Sequence, residues 1–242
     1  MTGLEFVWIF LCVACASFAQ SISGFGFALL SVPLMQLVLD PRDAVVISTF
    51  IGAVSTTTQA ILDRKDAQQA VVKRLTLASY VGMPLGLAIF VVVSDTTLRI
   101  VLGVVVVAAA VLLSRGFQLH QTRHVIDWIM GIVSGMLATS TSTNGPPLVF
   151  LMQARNMPSH EFRSSINSIF SFVNVGAIAM FVASGNVSLA SVVGAVIALP
   201  ALFFSLKLGY SVRPRVSETL FRRSVLGLLY VSGLSLFIRA FV

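Results

Sequence analysis

The sequence predicts an all-α polytopic membrane protein, and three observations lead to this prediction. First, 57% of the 242 residues are hydrophobic and only 10% are charged, whereas a soluble domain carries about 25% charged residues. Second, the apolar runs are long and continuous, which is typical of helices and not of barrel strands. Third, basic residues stand in short clusters between the runs, as in cytoplasmic loops. A nucleic-acid partner, which the net charge of +7 alone would suggest, is therefore disfavoured.

Eight apolar segments follow one another along the chain. Six have lengths suited to one crossing of a hydrocarbon layer about 30 Å thick. The first and fifth are longer, and both are interrupted at mid-length by glycine or proline with small polar residues. In order, the segments are Leu4–Leu39, Ala44–Leu62, Leu75–Val93, Leu98–Leu113, Val125–Met152, Phe162–Ala183, Leu189–Leu208 and Val225–Val242.

The two interrupted segments resemble each other. A shift of 117 residues places Leu34-Met35-Gln36 on Leu151-Met152-Gln153 and Pro41 on Pro158. A shift of 116 residues places Pro84 on Pro200 in the later segments. The chain is therefore predicted to contain two transmembrane repeats, residues 1–116 and residues 121–242.

The basic residues indicate how the fifth segment lies in the membrane. If every segment crossed once, the sixteen Lys and Arg residues would divide almost evenly between the two sides. If the fifth segment enters and returns to the same side, the division is thirteen to three, which is the expected bias towards the cytoplasm. The thirteen are Arg64, Lys65, Lys73, Arg74, Arg115, Arg123, Arg155, Arg163, Lys207, Arg213, Arg215, Arg222 and Arg223, against Arg42, Arg99 and Arg239.

The first segment is expected to double back as well, because it resembles the fifth. Each repeat then consists of a broken, re-entrant helix pair and three transmembrane helices. That is an odd number of crossings, so the second repeat is inverted relative to the first. In transporters of this plan the binding site lies where the broken helices meet, near the membrane midplane.

The first interruption has the sequence Ser23-Gly24-Phe25-Gly26-Phe27. Two glycines break a helix and allow close backbone approach. A helix that restarts at Phe25 would point unpaired N–H groups and the positive end of its dipole at a ligand, which favours anions. The alternative interpretation is a packing notch between helices.

The second interruption is a run of hydroxyl side chains that ends in Ser142-Thr143-Asn144-Gly145, followed by Pro146 and Pro147. Unpaired polar groups that face lipid are costly, so a buried turn is predicted. Proline suits the first turn of a helix, and the residues before it would then provide the cap. The alternative is a polar loop outside the membrane.

Polar side chains recur at helical spacing in the segments that flank the interruptions. The sixth segment carries Ser164, Asn167, Ser171 and Asn174. The second segment carries Ser48, Ser55 and Gln59, with Thr56, Thr57 and Thr58 beside them. Such stripes either associate helices or line a substrate path, and their presence in equivalent helices of both repeats favours the path.

Acidic residues and histidines are missing from the middle of every segment. Cation transporters and proton relays normally keep such a group in the membrane. A site made of hydroxyls, amides and helix N-termini therefore favours an anionic substrate. Asp127 and Glu161 lie near segment ends and are interpreted as cap or loop charges. No metal ion or other cofactor is expected.

Three motifs indicate a family. The early SGFGFALLSVPLM run, the NGPP turn and the L-R-x-x-L-G pattern at Leu98–Gly103 resemble the sulfite exporter TauE/SafE family of inner-membrane permeases. The resemblance covers essentially the whole chain and implies movement of sulfur-containing anions such as sulfite and sulfoacetate. The hydroxyl-rich second turn departs from what the family leads us to expect.

The combined expectation is a secondary transporter in the inner membrane that exports sulfite or small organosulfonates. Its partners would be the small anion and the lipid bilayer, and the sequence does not predict an oligomeric state. Substrate contacts are predicted from Ser23 to Phe27, from Ser142 to Gly145, and at Asn167, Ser171, Asn174 and Gln59. An uncoupled anion channel and a membrane subunit of a larger assembly are the alternatives. An intramembrane hydrolase is disfavoured, because its serine would need a general base and no histidine lies within a segment.

Overall fold

A computed structural model describes residues 2–115, 124–155 and 157–212. Within these ranges the chain is all-helical and contains no strand, as predicted. The helices are α1 (Gly3–Ser23), α2 (Phe27–Met35), α3 (Pro41–Leu62), α4 (Gln69–Val92), α5 (Asp95–Arg115), α6 (His124–Thr141), α7 (Gly145–Ala154), α8 (Ser159–Ala183) and α9 (Leu189–Val212), with a short 3-10 turn at Arg64–Asp66. The predicted segment Val225–Val242 lies outside the described residues.

Five of the described helices are long and apolar enough to cross a membrane. They are α1, α3, α4, α8 and α9. Four of them correspond to segments that the sequence assigns to single crossings, and the fifth is the longer part of the first interrupted segment. This number of apolar helices in a chain of this size confirms that the protein is a membrane protein.

Both interrupted segments form a long helix followed by a short one that runs back beside it. The indole nitrogen of Trp8, near the start of α1, donates to the carbonyl oxygen of Leu34 at the end of α2 over 2.8 Å. In the other pair, the side chain of Asp127 at the start of α6 contacts Arg155, just after α7. Each chain reversal therefore brings the end of the short helix close to the start of the long one.

The breaks lie well past the middle of each segment. Helix α1 has 21 residues and α2 has nine, which at 1.5 Å per residue correspond to about 31 Å and about 13 Å. Helices α6 and α7 have 18 and ten residues. The prediction of interruption at mid-length is therefore wrong: the break falls where the glycine or hydroxyl residues stand, and those residues are not centred.

Packing couples the first part of the chain to the second. The most extensive helix contacts are α4 with α6, α1 with α9, and α3 with α8. The start of α7 follows the start of α2 by 118 residues (Gly145 against Phe27), and the start of α8 follows that of α3 by the same distance (Ser159 against Pro41). Helices α3 and α8 pass through the centre, where Ile51 and Ile169 are fully buried.

Glycines allow α4 and α6 to approach closely. A Cβ built on Gly82 would lie 2.0 Å from the carbonyl oxygen of Ile132, and one on Gly86 would lie 2.1 Å from that of Met136. From the other side, a Cβ on Gly135 would lie 1.8 Å from the carbonyl oxygen of Ser79. Small residues four apart on both helices thus bring the backbones into contact, the usual device of membrane helix pairs.

Candidate functional site

The first break is made by two glycines in the left-handed conformation. Gly24 has φ 84° and its N–H closes the last turn of α1 on the Gln20 carbonyl, while Gly26 has φ 92°. The hydroxyl of Ser23 donates to the carbonyl of Phe25 over 2.6 Å. The predicted restart at Phe25 is wrong, because a right-handed helix cannot include a residue with this φ at Gly26. Helix α2 therefore begins at Phe27.

The second break is built from side chains. Ser142 has φ 59°, and it is the only non-glycine residue with positive φ in the described part of the chain. The hydroxyl of Thr49 on α3 donates to the Ser142 hydroxyl over 3.0 Å, and the hydroxyls of Thr141 and Thr143 lie 2.7 Å apart. All these side chains are buried inside the protein, so the turn is not an external polar loop.

The second short helix begins as its sequence predicts. Helix α7 starts at Gly145 and has Pro146 and Pro147 in its first turn. An N–H in the first turn has no partner within the helix, so the missing N–H of proline is tolerated there. Asn144 directly precedes the helix, and its carbonyl oxygen accepts from the Ser134 hydroxyl over 2.8 Å. The backbone at the break is therefore tied to α6.

The starts of α2 and α7 meet at one buried cavity. A Cβ on Gly145 would lie 3.9 Å from the side chain of Leu29 and 3.8 Å from the ring of Phe170. The space open to a water-sized molecule is about 30 Å³, enough for a water or two. The cavity is lined by Gln20, Gly26, Phe27, Ala28, Leu29, Ser48, Gly52, Thr56, Ser142, Thr143, Asn144, Gly145, Phe170 and Asn174.

Seven of the thirteen residues predicted for the site line this cavity. They belong to both breaks and to α8, and they are Gly26, Phe27, Ser142, Thr143, Asn144, Gly145 and Asn174. The other six, Ser23, Gly24, Phe25, Gln59, Asn167 and Ser171, lie outside its lining. The structure thus brings the two interruptions together. All four predicted residues of the second interruption line the cavity, whereas the first interruption and the predicted helix residues contribute only in part.

Gly24 and Phe25 pack against the beginning of α8. A Cβ on Gly24 would lie 2.6 Å from Cγ of Arg163. The ring of Phe25 meets that of Phe162 edge to face, with the ring centroids 6.1 Å apart. These two residues fix the end of α1 to α8, which is the packing role that the sequence left open as an alternative.

Most of the polar stripe of α8 also lies outside the cavity lining. The hydroxyl of Ser171 lies 2.7 Å from that of Thr57 on α3, and the Asn167 amide donates to the Arg163 carbonyl in its own helix over 2.9 Å. Ser164 donates to the Asp63 carbonyl after α3 over 2.7 Å. Only Asn174 reaches the cavity. Most of this stripe therefore joins α8 to α3 or bonds within α8.

Seven lining residues were not predicted as substrate contacts. Ser48 and Thr56 belong to the polar stripe of α3, so their spacing was the signal that could have identified them. Gln20 directly precedes Ser21 near the end of α1, and an amide inside a membrane helix needs a buried partner. Gly52, Phe170, Ala28 and Leu29 carry no such signal, because small and apolar side chains are common in any membrane helix.

The cavity has donors but no charged side chain. None of its lining residues is Asp, Glu, Lys, Arg or His. The side-chain nitrogen of Asn144 is buried and has no hydrogen-bond partner. The first turn of α2 and Gly145 of α7 lie in the lining, so the first N–H groups of α2, the Gly145 N–H and the positive ends of both helix dipoles lie beside the same cavity. Pro146 and Pro147 of α7 contribute no N–H. This arrangement offers an anion several hydrogen-bond donors while it adds no formal charge.

Asp127 forms an ion cluster at the start of α6. Its side chain is completely buried. Oδ2 lies 3.1 Å from Nε of Arg74 on α4, and Oδ1 contacts the guanidinium of Arg155. The interpretation as a cap or loop charge is wrong, because a fully buried carboxylate requires opposite charges. The two arginines supply them and hold α4, α6 and the end of α7 together.

The fold and the cavity define a class: a helical membrane protein in which two broken helices meet at a buried polar site, the arrangement of membrane transporters. The chain belongs to the sulfite exporter TauE/SafE family, whose model matches residues 9–236. This is a family of membrane transporters and not of enzymes. No curated protein and no solved structure matches the chain.

Proposed function

We propose that the protein is a secondary transporter of sulfur-containing anions, such as sulfite or small organosulfonates, and that it exports them across the inner membrane. The observation that carries this proposal is the meeting of α2 and α7 at one cavity where the Asn144 amide has no partner. The family supplies the substrate class. The geometry supplies a reason why an anion is preferred.

An anion that leaves water loses strong hydrogen bonds, so its site must replace them. The first N–H groups of α2, the Gly145 N–H of α7 and the amides of Asn144 and Asn174 are suitable donors in a low-dielectric setting. No carboxylate lines the cavity to repel the anion. Phe27 and Phe170 provide apolar walls for the organic part of a sulfonate.

The cavity is too small for the proposed substrate as it stands. About 30 Å³ is room for water, whereas sulfite has four non-hydrogen atoms. We therefore infer that substrate binding requires the two short helices to move apart. We propose that the two halves of the chain rock against each other around the cavity and expose it to each side in turn.

We further propose that residues 1–116 and 121–242 are inverted repeats, each with a re-entrant pair and three transmembrane helices. Two observations support this. The starts of α7 and α8 follow those of α2 and α3 by 118 residues, and those of α6 and α9 follow those of α1 and α4 by 121 and 120. The contacts are reciprocal: α1 packs on α9, and α6, the counterpart of α1, packs on α4, the counterpart of α9. Such an exchange is expected when a two-fold axis in the membrane plane relates the repeats.

The proposed orientation places the end of α3 and the start of α4 in the cytoplasm and the turn after α8 outside. Single cysteines introduced by Gln68→Cys and Asn186→Cys, on a background without Cys12 and Cys15, test it with a membrane-impermeant thiol reagent. We expect labelling from outside at position 186 and not at position 68. Equal labelling of both positions contradicts the re-entrant arrangement.

Transport by purified protein in liposomes tests the function itself. Labelled sulfite and labelled small sulfonates are offered on one side, with a membrane potential or an ion gradient imposed. We expect accumulation of the anion against its gradient. Flux that only dissipates the gradient indicates an anion channel. Flux that requires additional proteins indicates a membrane subunit, and absence of flux for every sulfur anion contradicts the proposal.

A further inference from the structure

Three buried side chains on α1 and α3 form a hydrogen-bonded chain that ends at the cavity. The Gln59 side-chain nitrogen donates to the Ser55 hydroxyl over 3.2 Å, and that hydroxyl donates to Oε1 of Gln20 over 2.6 Å. All three residues are at least 99% buried. Gln20 lines the cavity, while Ser55 and Gln59 do not.

The direction of this chain decides which atom of Gln20 is available to a ligand. A hydroxyl has one proton, so when Ser55 accepts from Gln59 it gives its own proton to Gln20. Oε1 of Gln20 then accepts this proton, which leaves the –NH₂ group as the part of the amide that can donate to a ligand. In the opposite direction Gln20 would donate to Ser55 and present its carbonyl oxygen instead.

We propose that Ser55 and Gln59 are positioning residues that turn the Gln20 amide so that it donates to the substrate. This inference rests on the proposed function and deepens it. The chain makes Gln20 a donor beside the Asn144 amide, and this orientation favours an anion. Reversing the chain would place a partial negative charge against the same anion, so Ser55 and Gln59 set the charge preference of a site that they do not touch.

The second half of the molecule shows that the fold does not need this chain. At the spacing of 118 residues, the counterparts of Gln20, Ser55 and Gln59 are Ala138, Val173 and Ala177. All three are apolar and at most 1% exposed. The same helix positions are thus packed without polar groups in the other half. Buried amides that are not required for packing call for another role, because a partly paired amide in an apolar interior is costly.

Two substitutions at one position separate a positioning role from a packing role. Gln59→Met keeps the size of the side chain and removes its hydrogen bonds. Gln59→Glu introduces a carboxyl that donates to Ser55 when it is protonated and only accepts when it is ionised. Binding of methanesulfonate, which stays ionised throughout, is measured between pH 5 and 9 on the full chain in nanodiscs, with the melting temperature recorded for each variant.

With Gln59→Glu we expect affinity near that of the wild type at low pH and roughly tenfold weaker binding at high pH, the size of one lost or reversed buried hydrogen bond. Gln59→Met should weaken binding by less and show no pH dependence. Thr58→Val is the matched control: the Thr58 hydroxyl donates to the Val54 carbonyl in its own helix, and the variant should bind like the wild type.

The charge of the introduced carboxylate would itself repel an anion, and a double variant removes this ambiguity. When Ser55→Ala is combined with Gln59→Glu, the carboxyl remains but is no longer connected to Gln20. The pH dependence should then largely disappear. Persistence of the full pH dependence in the double variant, or equal binding by Gln59→Glu and Gln59→Met at high pH, overturns the positioning role. Failure of the wild type to bind any sulfur anion instead overturns the proposed function, and the inference with it.

Discussion

The two breaks produce the same change of chain direction by different means. In the first, Gly24 and Gly26 adopt positive φ without a side chain, and contacts with Phe162 and Arg163 on α8 hold the turn. In the second, Ser142 adopts positive φ in spite of its side chain, and hydroxyl groups hold the turn. Gly24 and Ser142 are 118 residues apart, the same spacing as the starts of α2 and α7.

The two breaks therefore share a backbone reversal but differ in the side chains that hold it. A serine with left-handed φ costs about 1–2 kcal/mol relative to glycine, and the hydrogen bond from Thr49 offsets part of this. The glycine break leaves open space at Gly26 beside the cavity. The hydroxyl break brings the Asn144 amide to the same place. The glycine break thus provides free space and accessible backbone at the cavity, and the hydroxyl break provides side-chain hydrogen-bond donors.

The largest effect is expected where the first break provides room. Gly26 lines the cavity, and nothing lies within 4 Å of a Cβ built there. The side chain of Gly26→Leu would therefore enter the cavity, and it is larger than the free space of about 30 Å³. Flux of sulfite and sulfonates into proteoliposomes should be abolished while the protein still inserts and folds. Unchanged flux in a folded variant would show that the site lies elsewhere.

A smaller effect is expected where the second break provides donors. Asn144→Ala removes one hydrogen bond to a charged ligand and should weaken binding by about 1–3 kcal/mol, measured as anion affinity. The comparison variant is Asn167→Ala, because Asn167 was also predicted as a contact but bonds within α8. Its anion affinity should not change. Equal losses in both variants would contradict the division of the α8 stripe described above.

The two glycines of the first break should differ in their effect on stability. Gly24→Ala suffers both positive φ and a clash with Arg163, so we expect a loss of about 2–4 kcal/mol. Gly26→Ala has the strain of positive φ but no clash, and its free energy of unfolding should fall by about 1–2 kcal/mol. Thermal unfolding in detergent measures both, and the reverse order would mean that α8 does not hold the turn.

The smallest effect is expected when the second break is made to resemble the first. Ser142→Gly removes the backbone strain but also the hydrogen bond with Thr49, and each is worth about 1 kcal/mol. Stability should therefore change by less than about 1 kcal/mol. A loss above about 2 kcal/mol would show that the hydroxyl group holds the turn by more than this one bond.

Much of the fold could be predicted from sequence because lipid imposes strong constraints. Apolar length and charge spacing located the helices, and the glycine and hydroxyl runs located both breaks. The restart of α2 at Phe27 instead of Phe25 could not be predicted from composition, because it depends on the φ values of Gly24 and Gly26. Such values follow from how α1 meets α8.

Site residues were predictable only in part for a related reason. A polar residue at helical spacing indicates a buried face but not which neighbour shares it. Asn174 and Asn167 are seven residues apart on one stripe, yet only Asn174 reaches the cavity. Asp127 likewise appeared to be near an end of its segment, and the two arginines that contact it come from α4 and from the turn after α7.

The exchange of helix partners has a consequence for biogenesis. Helix α1 is synthesised early, but its main partner α9 is the last described helix of the chain, and Gly209 of α9 lies directly against Ser21. We therefore expect α1 to lack its main packing surface until α9 has been made. Residues 1–116 and 121–242 expressed as separate polypeptides should complement each other, whereas neither should mature alone.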